Sequence, residues 1–522
     1  MPVGMRKSQS PLVANAAIIA LPFYKANFMT SLRFLLRHAL TGTMLLTAAT
    51  TAWAATPSFS NAVQPELPDT TPKQAPDAPQ ALPPSPEQLT SQLTAMQEQL
   101  RGKSLADLQK NPELAEKALN LAIISRNWEA VREILPVYRR MPNHDQVLVN
   151  YAQGGLYAGD GEYKKAIALY RKMIADDPTL SRVRMDLAIL LYADKQDIAA
   201  RDQFVKLRSE PGNDAVINET IDEFLAGIDQ RSAWSFDAGL SYLHDDNVNN
   251  ASKSKTIRAG RLNFTKRPEA LPQSGQGYEF SLGAAKDFNI IGSNYISFDT
   301  GTNGKIYWNN HDYDDISLNI SSGYKYKDAR NSFGIAPLAR WRIVGGNAYS
   351  RTFGFSLQGS RWLSPNWQLS SHNEMGWEKS NVDKKAPTEK QIYTSLNALW
   401  APKSSQYFML GANLYDDDTG IKSTSYLRPG TTFVWNQDWP IGGISSRLNL
   451  GYGHRHYKGQ SYFGIKRKDN EFNTGVTLWK RDWHYWGITP KLSFRFNKVN
   501  SNIDDLYSYD KAQVFLKFDK TF

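Results

Sequence analysis

At 522 residues the chain is long enough for two or three domains, each with a core of its own. It contains no cysteine, which excludes structural disulfides, a Cys-ligated metal and amino-terminal lipidation, and which fits an oxidising compartment. The net charge of +10 divides into +5 for residues 1–54, −5 for residues 55–231 and +10 for residues 232–522; no run of Lys and Arg forms a phosphate-tracking stripe, so nucleic acid is not expected as a partner.

Residues 1–54 are predicted to be a signal-peptide region. From Met29, Arg33 and Arg37 make a basic start, Ala39 to Ala49 is apolar, and Ala52-Trp53-Ala54 fits a small-x-small cleavage site, with the mature chain starting at Ala55. The apolar run is shorter than the roughly 20 residues that span a bilayer as a helix. Residues 1–28 lie upstream of a complete leader and point to an upstream start-codon assignment. Residues 55–86 hold nine prolines and few bulky apolar side chains, a composition that cannot bury a core and reads as a tether.

Residues 87–231 read as a tetratricopeptide-like helical domain placed in the periplasm. Gly154 and Ala188, Tyr157 and Leu191, Ala166 and Ala200, and Tyr170 and Phe204 are each separated by 34 residues, the tetratricopeptide period. The small members let paired helices approach and the large ones fill the gap between them, while Pro178 ends a helix. An earlier unit with Ala118, Ala130, Ile134 and Pro142 fits with a two-residue offset, and residues 214–230 look like a capping helix. Tyr151, Arg182, Met185 and Tyr192 are predicted on the concave face, where an aromatic and Met-bearing groove suits an extended or partly folded polypeptide client.

From Trp234 the period changes to two. Trp234, Phe236, Ala238, Leu240 and Tyr242 alternate with Ser235, Asp237, Gly239 and Ser241, the apolar-out, polar-in pattern of a transmembrane β-barrel wall. The barrel reading reconciles a mean hydropathy of −0.50 with an aromatic content of 12%. Of the 14 Trp, all but Trp53 and Trp128 follow residue 232. About fourteen antiparallel strands are predicted over residues 232–522: 233–243, 277–288, 293–309, 312–327, 331–344, 349–363, 366–380, 389–401, 405–417, 423–437, 443–457, 469–481, 485–498 and 508–522. Short connections after the even strands place both chain termini of the barrel in the periplasm, with residues 244–276 as the longest outer loop. The last strand, with Val514, Leu516, Phe518 and Phe522 on one face, resembles the carboxy-terminal signal read by the barrel-assembly machinery, although Lys520 departs from that pattern.

Chemistry-bearing clusters are few. His454 and His456 alternate on one strand but share the face of Leu448 and Leu450, and Asp416, Asp417 and Asp418 fall in a predicted outer loop. Neither is expected to be catalytic or to hold a metal, no cofactor is expected, and the chain is not read as an enzyme. With these residues assembled, the chain resembles the surface lipoprotein assembly modulators, the Slam family. The resemblance rests on the order of repeats and barrel, on Gly161-Glu162-Tyr163 and the Ala166 to Pro178 segment, on Leu243-His244-Asp245-Asp246-Asn247-Val248-Asn249-Asn250-Ala251 after the first strand, and on the strand count. It implies a Gram-negative outer-membrane translocator that exports client proteins carrying a small β-barrel domain, either surface lipoproteins or soluble haem scavengers. Its other partners would be the barrel-assembly machinery and outer-membrane lipid. A polysaccharide exporter, with its usually longer repeat array, and a passive porin are the alternatives.

Overall fold

The computed structural model describes residues 104–210, 215–259, 262–485 and 488–521. The predicted leader, its cleavage site, the Pro-rich tether and the terminal Phe522 lie outside the described residues.

Helices α1 (Leu105–Lys110), α2 (Pro112–Ile124), α3 (Trp128–Arg139), α4 (Gln146–Gly159), α5 (Tyr163–Asp176), α6 (Ser181–Ala193), α7 (Asp197–Arg208) and α8 (Ala215–Ser232) come first in the described chain. Their starts are legible locally. Ser104 and Asp107 form a capping box on α1, and Asn111 caps α2 ahead of Pro112, whose missing N–H costs nothing there. Asn127 and Asp145 cap α3 and α4 through their side chains.

The helices pair as α2–α3, α4–α5 and α6–α7. The turn inside each pair contains a residue in the left-handed region: Arg126 at φ +54°, Gly161 at +71° and Lys195 at +60°. The repeat therefore fixes a backbone conformation as well as a core. Ala166, Ala188 and Ala200 are fully buried, as is Phe204, and Tyr170 and Leu191 nearly so. Gly154 lies beneath the Tyr170 ring, which any Cβ at 154 would strike, so the small-against-large pairing read from the 34-residue period is a packing requirement. Helix α8 closes the stack with Ile221, Leu225 and Ile228 buried against the last repeat.

Fourteen antiparallel strands then close a barrel. In chain order they are β1 (Ser235–Asp245), β4 (Gly275–Ile291), β5 (Asn294–Tyr307), β6 (Asp315–Lys327), β7 (Asn331–Val344), β8 (Asn347–Ser364), β9 (Trp367–Ser380), β10 (Glu389–Lys403), β11 (Gln406–Asp418), β12 (Tyr426–Asp438), β13 (Ile444–Gln460), β14 (Lys466–Lys480), β15 (Ile488–Ser501) and β16 (Tyr509–Thr521). The predicted strand number is the one found, and β1 pairs with β16 from Asp237 opposite Thr521 to Asp245 opposite Gln513. Closure removes the sheet edges that a bilayer could not satisfy.

The alternation separates the two faces as expected. Leu240, Leu282 and Leu410 are 52%, 54% and 63% exposed on the outside, whereas Leu243 and Phe515 are fully buried on the inside. Among the described residues no helix is long and apolar enough to cross a membrane. One element was not read from the sequence: the connection after β1 carries a two-stranded hairpin, β2 (Thr256–Ala259) and β3 (Leu262–Thr265). Strands of four residues are too short to establish a period. A second departure is the connection between β7 and β8, which is only Gly345-Gly346. Both residues have positive φ, as a tight two-residue hairpin turn demands.

Candidate functional site

The concave-face candidates occupy α4 and α6. Tyr151 of α4 donates its hydroxyl to Asp186 Oδ2 (2.5 Å) and accepts from Arg182 Nε (3.0 Å), with the Arg182 guanidinium 5.6 Å from the Tyr151 ring centre. Burial, reinforced by the Asp186 charge, pushes the Tyr151 hydroxyl well above its ordinary range. Burial also raises the Asp186 carboxyl, against the stabilising Tyr151 hydrogen bond and Arg182 charge. Tyr170 adds a second ring 5.8 Å away and donates to the Tyr151 carbonyl.

The structure brings Tyr151 and Arg182 together, with Met185 packed half-buried against the same repeat core. Tyr192 stands apart, about 15 Å further along α6 at a rise of ~1.5 Å per residue. Its ring packs on α8, 5.1 Å from Phe224 and 3.7 Å from the Arg231 guanidinium. Asp186, the partner that organises Tyr151 and Arg182, was missed from the sequence. Its spacing from Arg182, one helical turn, was the available signal.

The helical repeats sit on the barrel end that carries the turns 292–293 and 328–330. The α6–α7 turn makes one set of contacts. Ser293 Oγ donates to the Asp194 carbonyl (3.1 Å), the Tyr295 hydroxyl donates to the Lys195 carbonyl and approaches Asp197 Oδ2 (3.2 Å), and the Ile198 amide donates to Asn289 Oδ1 (3.3 Å). Asp197 is also held by Arg231 of α8 at 3.0 Å.

The preceding intra-repeat turn makes a parallel contact. Lys164 Nζ donates to the Tyr326 hydroxyl (2.8 Å) and lies 3.4 Å from Asp328, and the space a Cβ would need at Gly161 is filled by the Arg330 guanidinium. Gly161 and Lys195, the left-handed residues of successive repeats, thus mark the two docking points. Burial here raises the Asp194 carboxyl and the Tyr163 hydroxyl. Asp328 is also partly buried, but hydrogen bonds from the Arg330 and Asn331 amides and the Tyr326 hydroxyl hold its carboxyl below the usual range.

Inside the barrel the run from Leu243 to Ala251 forms a clasp over the junction of first and last strands. Asp245, fully buried, accepts from Gln513 Nε2 (2.8 Å), Tyr307 Oη (3.2 Å) and the Asn247 amide (3.0 Å), and pairs with Lys511 (2.8 Å). Asp246 accepts from the Ala512 amide, while Asn247 Nδ2 reaches the Ala251 carbonyl (3.0 Å) and the Asp510 carbonyl (3.4 Å). Leu243, Val248, Tyr307 and Phe515 pack as an apolar cluster behind these bonds. Further round the wall, Glu471 is shared by Arg428 (2.6 Å) and Arg455 (2.8 Å), and Glu374 pairs with Arg340 (2.9 Å).

The remaining candidates are dispersed. Asp416 pairs with Lys458 on the outer face, Asp417 is buried on the inner face and Asp418 bonds Ser425 in the loop, so the three carboxylates do not converge. His454 and His456 lie on the outer face with ring centres 3.9 Å apart. Among the described residues no group of three or more potential ligands is placed to hold a metal ion. Leu516 and Phe518 face outward, 41% and 39% exposed, with Val514 half-buried in the same row.

A closed barrel with an apolar exterior makes this a Gram-negative outer-membrane protein. Residues 103–204 match the family of surface lipoprotein assembly modifier N-terminal TPR repeats, and residues 234–522 match that of the surface lipoprotein assembly modifier itself. The chain is 34% identical to surface lipoprotein assembly modifier 1 of Neisseria meningitidis, over 81% of this chain and 85% of the relative. It is 31% identical to the surface lipoprotein assembly modifier of Pasteurella multocida, over 84% and 88%. A more distant relative, 23% identical over 83% and 90%, is the hemophilin secretion modulator of Acinetobacter baumannii. The chain belongs to the surface lipoprotein assembly modifier family.

Proposed function

We propose that the protein promotes export of client proteins, either surface lipoproteins or haem-acquisition proteins, across the outer membrane. The helical repeats recruit the client in the periplasm and deliver it to the barrel. The observation that carries this reading is the docking of two consecutive repeats on the barrel turns at 292–293 and 328–330, which holds the helical repeats against one mouth of the barrel. The family relatives, named for surface lipoproteins and for hemophilin secretion, support the choice of client class. No nucleotide is available in the periplasm, so folding of the client outside supplies the driving force. Three repeats make a short array, which disfavours the polysaccharide exporter, and a passive porin has no use for a docked helical domain.

The experiment measures client on intact cells or released to the medium, normalised to total client and to folded barrel. Replacing Tyr151, Arg182, Met185 and Tyr192 together with Ala is expected to cut export severalfold while the barrel still assembles. Because Tyr151 and Tyr192 also pack within the repeats, the helical content of the variant is measured alongside. Unchanged export in a folded variant would remove this face from recruitment.

Orientation is tested by tags. A tag near Lys255, in the long connection after β1, is expected to be labelled on intact cells. One near Asn366, at the end that carries the repeats, is expected to be labelled only after permeabilisation; reversed labelling would invert the barrel. The carboxy-terminal row is expected to act as the signal for the barrel-assembly machinery, so deleting Phe522 should lower outer-membrane levels of the protein. Equal levels would leave the row as nothing more than lipid-facing surface.

A further inference from the structure

His454 and His456 have no part in the proposed export function, yet their surroundings are unusual for a lipid-facing surface. On β13, β14 and β15 the even-numbered residues point outward. Nearer the middle of the wall they are Leu448, Leu450, Leu478, Phe494 and Phe496, apolar and well exposed or half-buried as lipid contact requires. Next comes an aromatic step, with Tyr452 opposite Phe472 and ring centres 5.3 Å apart. Beyond it, at the barrel end remote from the repeats, the outward row turns basic, and from Phe496 to Lys498 it does so within two residues, a climb of about 7 Å along a strand.

His454 follows Tyr452, and His456 stands opposite Lys468 in the strand register, with Lys466 beyond it. Lys498 lies on the neighbouring strand opposite Phe472. Asn470 ties the step together: its Oδ1 accepts from the Tyr452 hydroxyl (2.9 Å) and lies 2.7 Å from His454 Nδ1.

Two neighbouring carboxylates are already engaged. Asp416 is held by Lys458 at 2.5 Å, and Asp510, which faces Lys498 in the register, is held by Lys253 at 2.7 Å. Among the described residues no ion pair is formed by Lys466, Lys468 or Lys498. Unpaired cations directed at the headgroup layer, just outside an aromatic girdle, are poorly compensated by protein and well compensated by phosphate, which takes several charge-assisted hydrogen bonds at once. In a Gram-negative outer membrane the phosphate-bearing lipid of the outer leaflet is a glycolipid.

We infer that the outward patch of His454, His456, Lys466, Lys468 and Lys498 binds the phosphate groups of the outer-leaflet glycolipid. The leaflet assignment rests on the periplasmic placement of the repeats, which the tags at Lys255 and Asn366 test separately. The binding itself is measured on full-length protein in non-ionic detergent and does not depend on orientation. Purified lipid A carrying both phosphates, the same lipid A dephosphorylated, and phosphatidylglycerol serve as probes, with bound lipid read by native mass spectrometry.

Phosphorylated lipid A is expected to bind at least about tenfold more tightly than the dephosphorylated form, because each charge-assisted bond is worth around a factor of ten. The preference should weaken as salt is raised. A variant combining Lys466→Gln, Lys468→Gln, Lys498→Gln, His454→Gln and His456→Gln, shown to be folded by its heat-modifiable mobility, is expected to lose the preference. Equal binding of the two lipid A forms by the unaltered protein overturns the proposal without recourse to any variant, and an unchanged preference in the folded variant overturns this location. Phosphatidylglycerol binding as tightly as lipid A, and lost in the variant, overturns the assignment to a glycolipid.

Discussion

A chain that begins at Arg231 behind a cleavable leader is expected to assemble as a heat-modifiable barrel and to lose client export by at least about tenfold, since recruitment next to the barrel mouth supplies an effective client concentration of roughly millimolar order. The barrel half of this expectation follows from the strand ladder. Strand β1 begins at Ser235 and is hydrogen-bonded to β16 and β4 along its length, with no helical residue in the register. Removing the repeats uncovers Asn289, Ser293, Tyr295, Tyr326 and Asp328, all polar groups at a barrel end that water can satisfy. Asp245 and its partners, which clasp the first and last strands, are untouched. The export half follows from the docking of α5, α6 and α7 on that same end. Folded barrel and exported client are measured on the same cells. Undiminished export from a fully assembled, repeat-free barrel would end the recruitment mechanism, and loss of the barrel itself would show that the repeats serve assembly instead.

The parts of this molecule that were legible in the sequence are those encoded by a local period. Strand β7 was predicted over 331–344 and occupies those residues, because its run is framed by a short turn and by Gly345-Gly346. The pairing of Ala166 with Ala200 and of Tyr170 with Phe204 gave the repeat core, because the 34-residue spacing repeats both volume and position.

What stayed hidden depends on contacts between distant segments. Nothing local marks Lys195 as a docking residue, since its role comes from a backbone carbonyl that meets Tyr295 a hundred residues later. The Leu243 to Ala251 run was noticed as a resemblance, but its work as a clasp needs Lys511 and Gln513 from the last strand. Tyr151 and Arg182, expected on the concave face, are tied to each other and to Asp186. A concave face reads the same from sequence whether its polar groups are free or already bonded.

The largest expected effect on the barrel itself comes from Glu471, because two arginines depend on it. Arg428 Nε lies 2.6 Å and Arg455 Nε 2.8 Å from its carboxylate, and the three side chains are 9%, 12% and 3% exposed. Arg428 has room to reach this position because residue 453 on the adjoining strand is glycine; a Cβ there would strike the guanidinium. Arg455 also lies 4.5 Å from the Tyr426 ring centre, so both cations are fixed against the inner wall. Replacing Glu471 with Ala leaves two buried guanidinium groups without the carboxylate they share, a change of the kind that costs about 3–5 kcal/mol. Glu471→Gln retains hydrogen-bonding oxygen but removes the charge, and is expected to fall between Ala and the natural residue. Replacing Glu471 and both arginines together by apolar residues of similar size should recover much of the loss, since the penalty lies in uncompensated charge and not in a missing contact. The measurement is the temperature or denaturant midpoint at which purified protein in detergent loses its heat-modifiable form. An unchanged midpoint for Glu471→Ala would mean that water in the lumen already screens the two arginines, and would remove the triad from the forces that hold the wall together.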